Sequence, residues 1–357
     1  MNFATRHYEE VLSGRRRTIG AALLRSALRI AEVPYGAAVR SRNGRYDALR
    51  APIHRVEVPV ISVGNLTTGG SGKTPMVEWL ARWFVNRNVH AGIVSRGYRS
   101  RPGRPNDEAR ELARRLPDVP HVQQPDRVAA ARAAIADHDC QVLLLDDGFQ
   151  HRRLHRDLDL VLLDALEPFG FGHLLPRGLL REPVSSLSRA DAVILTRADV
   201  VSAERKAAIR NLVRRHAPRA AWIEAAHRPL VLANASGHER EIAWLRGRRV
   251  AAFCGIGNPR AFELTLAQCG CHVAEMRAFP DHHDYLHADI DSLARWVRSQ
   301  SDIEAVVCTE KDLVKIGRDE LGAKPLWAVR IGIKLVAGQQ SLESLLGQLI
   351  PRAAAAA

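Results

Sequence analysis

A chain of 357 residues, 46% of them hydrophobic, has length and apolar content for two domains with cores of their own. Its 52 Lys plus Arg against 39 Asp plus Glu leave a formal charge of +13, which favours an anionic partner, but aromatic residues are only 5% and do not interleave with basic runs, so anionic lipid or a phosphorylated substrate ranks ahead of nucleic acid. Five scattered cysteines with no CxxC pair argue against a disulfide framework or a zinc site and fit a reducing cytosol, and no 18-residue apolar run or signal peptide is present, so the expected protein neither spans a membrane nor leaves the cytoplasm.

In chain order, Arg15, Arg16 and Arg17 precede a helical pattern over residues 18–40. Ile19, Leu23, Ala27 and Ile30, widened by Leu24, Leu28 and Ala31, form an apolar stripe, with Arg25, Arg29 and Glu32 on the other side. Such a helix suits a membrane interface, its stripe among acyl chains and its arginines at phosphate level; the same pattern also fits a helix packed on its own protein core. Arg40, Arg42, Arg45, Arg50 and Arg55 follow it.

From residue 58 short β-branched runs alternate with helical segments, the pattern of a parallel sheet covered by helices. Strands are predicted at 58–63, 89–95, 142–146, 158–163 and 192–196, and helices at 75–86, 127–137 and 203–216. After a less regular stretch, a second series of strands begins at 250–254 and continues through 273–278, 305–309 and 326–331. The expected fold is α/β: a parallel sheet with helices on both faces, of P-loop NTPase type on the strength of GGSGKT at 69–74, with a second smaller α/β domain and an N-terminal amphipathic helix. The expected boundaries are 1–55 for the helical segment, 56–220 for the P-loop core, 221–247 for a connection, 248–350 for the C-terminal domain and 351–357 for a tail.

The strongest local signal is GNLTTGGSGKTP at 64–75, between a predicted strand and a predicted helix. Glycines let successive N–H groups turn toward phosphate oxygens and the new helix adds its positive end. Gly69, Gly70, Ser71, Gly72, Lys73 and Thr74 are the expected nucleotide-phosphate residues, with Lys73 neutralising the β and γ phosphates and Thr74 holding Mg²⁺. Thr67 stands where the usual spacing has a glycine, so the loop is a variant. The apolar strand 142–145 ends in Asp146-Asp147, placed to serve Mg²⁺, although adjacent acids also occur as plain turn residues. Thr196-Arg197-Ala198-Asp199 weakly resembles the guanine-reading element of GTPases, and a plain helix-capping aspartate is the commoner explanation.

Seven motifs in order, VGNLTTGGSGKTP (63–75), SRGY (95–98), DDGFQHRRL (146–154), LLPRGLLREP (174–183), GIGNP (255–259), FPDHHDY (279–285) and TEKDLVK (309–315), give the chain a resemblance to the tetraacyldisaccharide 4'-kinase family over nearly its whole length. The resemblance implies transfer of the γ-phosphate of ATP, with Mg²⁺, to the 4'-hydroxyl of an acylated disaccharide 1-phosphate, a lipid A precursor. It implies work at the cytoplasmic face of the bacterial inner membrane, contact with that surface through the N-terminal helix, and two α/β domains flanking the cleft. No nucleic acid or obligatory protein partner is expected.

By the same resemblance Asp107 matches the family's catalytic aspartate, His282 its partner histidine, and Arg127 a third, charge-stabilising member. Asn106 and Ala109 replace the glycine and proline that usually flank this aspartate and its neighbouring glutamate. Arg96, Tyr98, Gln150, His151 and Arg181 are assigned to the lipid substrate, and Glu182 joins Thr74, Asp146 and Asp147 as a metal candidate. Two other classes compete with the kinase: a P-loop GTPase acting as a metallochaperone or switch, and a peripheral membrane protein with a regulatory nucleotide site.

Overall fold

The computed structural model describes residues 10–97, 107–281, 283–300 and 302–350, with backbone alone at 107–109 and 111. The chain forms two compact units: one holds the described residues up to His227 and again from Ile333, the other Arg228–Gly332.

In the first unit the strands are β1 (Val60–Asn65), β2 (Ala91–Ser95), β3 (His121–Gln123), β4 (Val142–Asp146), β5 (Leu158–Asp164), β6 (Ala192–Thr196) and the start of β7 (Ala221–Ala233). They lie in the order β7-β6-β5-β1-β4-β2-β3 and every neighbouring pair is parallel. Side chains on a strand alternate faces, and here both faces are covered, which is why these strands read as continuous apolar runs. On β4, Val142 and Leu144 join the core beneath α2 (Lys73–Val85), including Met76, Leu80 and Phe84. Leu143 and Leu145 meet Val128, Ala131 and Ala134 of α4 (Arg127–His138). On β5, Val161 and Leu163 pack with Ile209 and Val213 of α5 (Ala203–His216). The sheet places β1 between β4 and β5, so the exits of β1 and β4 are adjacent.

The N-terminal helix α1 (Ile19–Asp47) begins at Thr18, whose side chain accepts from Ala21 N–H, and extends past the predicted end. It turns its polar side toward the protein. Glu32 accepts from Leu174 N–H at 2.7 Å, Tyr35 Oη donates to the Arg181 carbonyl at 3.0 Å, and Asn43 and Arg42 donate to Glu182 at 2.8 and 3.0 Å. Ile19, Leu23, Ile30 and Val33 point outward, 82, 67, 75 and 63% exposed. Among the described residues the stripe does not pack on the chain's own core. Among the described residues no helix is long and apolar enough to cross a membrane.

The second unit has β9 (Arg249–Cys254) between β10 (His272–Ala278) and β11 (Ala305–Thr309), with β11 parallel to β13 (Lys324–Ala337). Short β8 (Glu239–Glu241) and β12 (Glu320–Leu321) pair antiparallel with β7 and β13. Phe262 and Leu266 of α6 (Pro259–Cys269) cover one face, and Leu293 and Trp296 of α7 (His287–Arg298) with Leu313 of α8 (Glu310–Ile316) cover the other.

The stretch between the two strand series, residues 221–246, reads as less regular in the sequence, and the structure corrects this: β7 runs for 13 residues through its first half. Paired alanines at 225–226 and Pro229 break the two-residue alternation, while pairing to β6 supplies the strand's hydrogen bonds. Helix α9 (Gln339–Gly347), which follows β13, packs Leu342 and Leu346 into the core of the first unit.

Candidate functional site

The loop after β1 sits at the carboxyl end of a parallel sheet, the edge where open α/β folds bind ligands. Gly64 lies so close to Phe149 that any Cβ would overlap it, and this lets the segment after β4 cross beneath the loop. Residues 66–68 run as a strand-like pair with 179–181: Thr68 N–H donates to the Leu179 carbonyl at 2.8 Å and Arg181 N–H to the Leu66 carbonyl at 2.7 Å. Thr67 bridges Leu180. Extended pairing explains why position 67 needs no glycine, and it brings the LLPRGLLREP motif to the loop.

Gly72 caps α2 in the left-handed region, φ 87°, and a Cβ there would overlap the His227 ring. Pro75 falls in the first turn, where no internal acceptor awaits its missing N–H. The Ser71 hydroxyl accepts from Asn65 Nδ2 at 2.8 Å, and both residues are buried. Thr196 Oγ1 donates to the Ser71 carbonyl at 3.0 Å, and the Arg197 guanidinium faces the Gly70 carbonyl.

Lys73 Nζ lies 3.6 Å from Asp147, and Arg181 grips both oxygens of that carboxylate at 2.8 and 2.9 Å. Arg181 and Gln150 also donate to the Asn65 carbonyl, at 3.1 and 3.0 Å. Burial pushes the Asp147 carboxyl up, but Lys73, Arg181 and Arg127 outweigh it and hold the group far below the ordinary carboxylate range. Asp146, at the buried end of β4, and Asp147 both act on the Arg127 guanidinium, which burial and Arg96 push down. His151 is pushed down to about 4 by burial, then by Arg127 and Arg156, so it is neutral at pH 7. Its Nε2 and the Gln150 Oε1 are buried atoms without a hydrogen-bond partner in the described structure.

The structure thus gathers Lys73, Asp146, Asp147, Arg127, Arg181, Gln150 and His151 around the phosphate loop, with Arg96 exposed near Arg127. Glu182 lies elsewhere: it is fully buried and its oxygens receive Asn43, Arg42 and Arg189, the last at 2.8 Å. Tyr98, His282 and the Asp107 side chain lie outside the described residues; the Asp107 backbone begins α3 (Asp107–Arg115). Sequence reasoning missed Asn65 and His227. It noticed Thr196 and Arg197, but as a weak base-reading signal rather than as support for the loop.

A parallel α/β sheet, a glycine-rich loop opening a helix with Lys73 in its first turn, and paired aspartates on the adjacent strand end define a P-loop nucleotide-binding protein. The family profile described as tetraacyldisaccharide-1-P 4'-kinase matches residues 24–351. The tetraacyldisaccharide 4'-kinase of Anaeromyxobacter dehalogenans is 41% identical, covering 91% of this chain and 90% of the relative. That of Halothermothrix orenii is 36% identical over 85% and 86%. LpxK from Aquifex aeolicus, whose crystal structure is in complex with ATP, is 31% identical with a TM-score of 0.72, covering 92% of this chain and all of that one. The chain belongs to the tetraacyldisaccharide 4'-kinase family.

Proposed function

We infer that this chain transfers the γ-phosphate of ATP to the 4'-hydroxyl of a tetraacyldisaccharide 1-phosphate, giving the 1,4'-bisphosphate in lipid A biosynthesis. The observation that carries the reading at the site is Lys73 and Arg181 converging on Asp147 at the mouth of a phosphate loop, within a family of that activity. In the reaction the acceptor oxygen bonds to the γ-phosphorus, the bond to the bridging oxygen breaks, ADP leaves and the hydroxyl proton passes to a base. Asp107 as that base, with His282 as its partner, is the assignment the family motifs support. Lys73 and the loop N–H groups meet charge on the phosphates, and Arg127 adds positive charge near the two aspartates. His151 and Gln150, with buried polar atoms to satisfy, serve the polar part of the acceptor, alongside Arg96, Tyr98 and Arg181.

Mg²⁺ takes one or two carboxylates together with phosphate oxygens and water, so it needs no dense protein cage. The ionised Asp147, Asp146 and the Thr74 hydroxyl are hard oxygen donors beside the loop and fit that requirement. Bound there, Mg²⁺ would neutralise charge across the β and γ phosphates. Glu182, saturated by three nitrogen donors, is better read as the anchor of α1.

The outward stripe of α1 supports peripheral attachment at the cytoplasmic face of the inner membrane, since an exposed row of Ile19, Leu23, Ile30 and Val33 gains by entering an acyl layer. Mass spectrometry of a mixed-micelle reaction with Mg·ATP and the tetraacyldisaccharide 1-phosphate tests the activity: one added phosphate on the lipid is expected, and none from Lys73→Ala. Nucleotide binding by folded wild-type protein without any lipid product would overturn the kinase reading.

A further inference from the structure

We propose that Thr196 and Arg197 are positioning residues for ATP, which hold the carbonyls of residues 70 and 71 turned away from the nucleotide so that the N–H groups of Lys73 and Thr74 face the phosphates. The proposal rests on the reading of residues 69–74 as the ATP-phosphate loop.

A loop that cradles an anion works only if its peptide dipoles point one way, because a carbonyl aimed at phosphate puts negative charge against negative charge. Besides the Gly69 carbonyl, which takes the Ser71 N–H at 3.1 Å within the loop itself, three successive carbonyls have donors. The Gly70 carbonyl lies 3.4 Å from both terminal nitrogens of Arg197. The Ser71 carbonyl accepts from Thr196 Oγ1 at 3.0 Å, and the Gly72 carbonyl takes Met76 N–H at 3.3 Å, the first helical bond of α2. The last belongs to any helix; the first two are side-chain devices from the end of β6.

Both devices are anchored. Thr196 is fully buried, and the alternative acceptor for its one hydroxyl proton is the Leu163 carbonyl at 3.3 Å. Arg197 has φ 52°, an uncommon backbone for a side-chain-bearing residue, and its guanidinium is ion-paired with Asp164 at the end of β5. The His227 ring blocks the space behind Gly72, which limits retreat of the loop. The ends of β5, β6 and the first part of β7 therefore converge on residues 70–72, while the N–H groups of Lys73 and Thr74, in the first helical turn, have no intrahelical acceptor and remain for the ligand.

The test is steady-state kinetics at saturating lipid acceptor, together with the ATP dissociation constant and the thermal midpoint. Thr196→Val keeps the shape and removes the hydroxyl, leaving the Ser71 carbonyl free to rotate. It should raise KM for ATP about 10-fold, with a smaller effect on kcat and little on the thermal midpoint, the scale of one hydrogen bond to a buried carbonyl. Thr196→Ser should restore KM. Arg197→Met, at a less buried position, should raise KM about 5-fold and supplies the test by itself should Thr196→Val fail to fold. Wild-type KM in a folded Thr196→Val or in Arg197→Met, or a rise that Thr196→Ser leaves in place, overturns the proposal. Lys73→Ala run in parallel separates the two failures: if it loses ATP binding while the Thr196 and Arg197 variants keep it, only the carbonyl clamp is wrong, and if Lys73→Ala itself binds ATP normally, the reading of the loop falls.

Discussion

Asp147 meets three cations, and their division of labour sets what each substitution should do. Arg181 takes both carboxylate oxygens in a fork, whereas Lys73 stands 3.6 Å off, a distance that leaves its ammonium donors for phosphate oxygens. Lys73→Ala is therefore expected to lower kcat by about 100-fold or more, measured by single-turnover transfer from ATP. Arg181→Lys keeps the charge but loses the fork, so Asp147 should be less firmly placed; an increase in the Mg²⁺ concentration needed for half-maximal rate is expected, and an unchanged requirement counts against Asp147 as a metal group. His151 gives a pH signature. Its folded pKa of about 4 lies below the ordinary 6.5, so between those values the unfolded chain binds a proton that the folded chain refuses. The stability it contributes is present above pH 6.5 and is lost as pH falls toward 4. His151→Gln should flatten the decline of the thermal midpoint across that window; an unchanged slope would show that His151 is not held neutral.

At the level of elements, α1 is an inverted amphipathic helix: Glu32, Tyr35, Arg42 and Asn43 reach into the protein and the aliphatic row faces out. Replacing Leu23 and Ile30 with Asp should sharply reduce flotation with phospholipid vesicles while leaving the urea midpoint nearly unchanged, because neither side chain packs on the core. A large loss of stability instead would mean that the row is part of a folded contact. The opposite behaviour is expected at Glu182. Its carboxylate is fully buried, and Glu182→Ala strands Arg189 in the interior, at a cost of about 3 kcal/mol in urea unfolding. Amide exchange in α1 should accelerate in the same variant, since Asn43 and Arg42 lose their acceptor.

For the molecule as a whole, the formal charge of +13 and the outward helix would make separable contributions to the proposed membrane attachment. The charge acts through a screened field and the stripe does not, so raising salt should weaken binding to anionic vesicles and leave a residual component that the Leu23 and Ile30 substitutions remove. Salt-insensitive binding to anionic vesicles would assign attachment to the apolar row alone. The chain's path is the other large-scale feature: it leaves the first unit after His227, completes the second, and returns at Ile333 to bury Leu342 and Leu346 beneath the sheet. Truncation before α9 should therefore destabilise the nucleotide-binding unit, to which that helix contributes core contacts.

What the sequence by itself determined is local chemistry and period. GGSGKT opening a helix, Asp146-Asp147 ending an apolar strand, and strands buried on both faces were legible because glycine freedom, strand-end placement and continuous apolarity are carried by neighbouring residues. The seven motifs added the family. Only the tertiary structure decided which side of α1 faces the protein, since a stripe has the same period whether it meets a core or a lipid. It alone turned Glu182 toward α1, paired residues 66–68 with 179–181, and brought Thr196, Arg197 and His227 behind the phosphate loop. These contacts join residues more than a hundred positions apart, and no local pattern encodes them: they follow from strand order, which places the ends of β5, β6 and β7 on one side of β1 and β4 on the other.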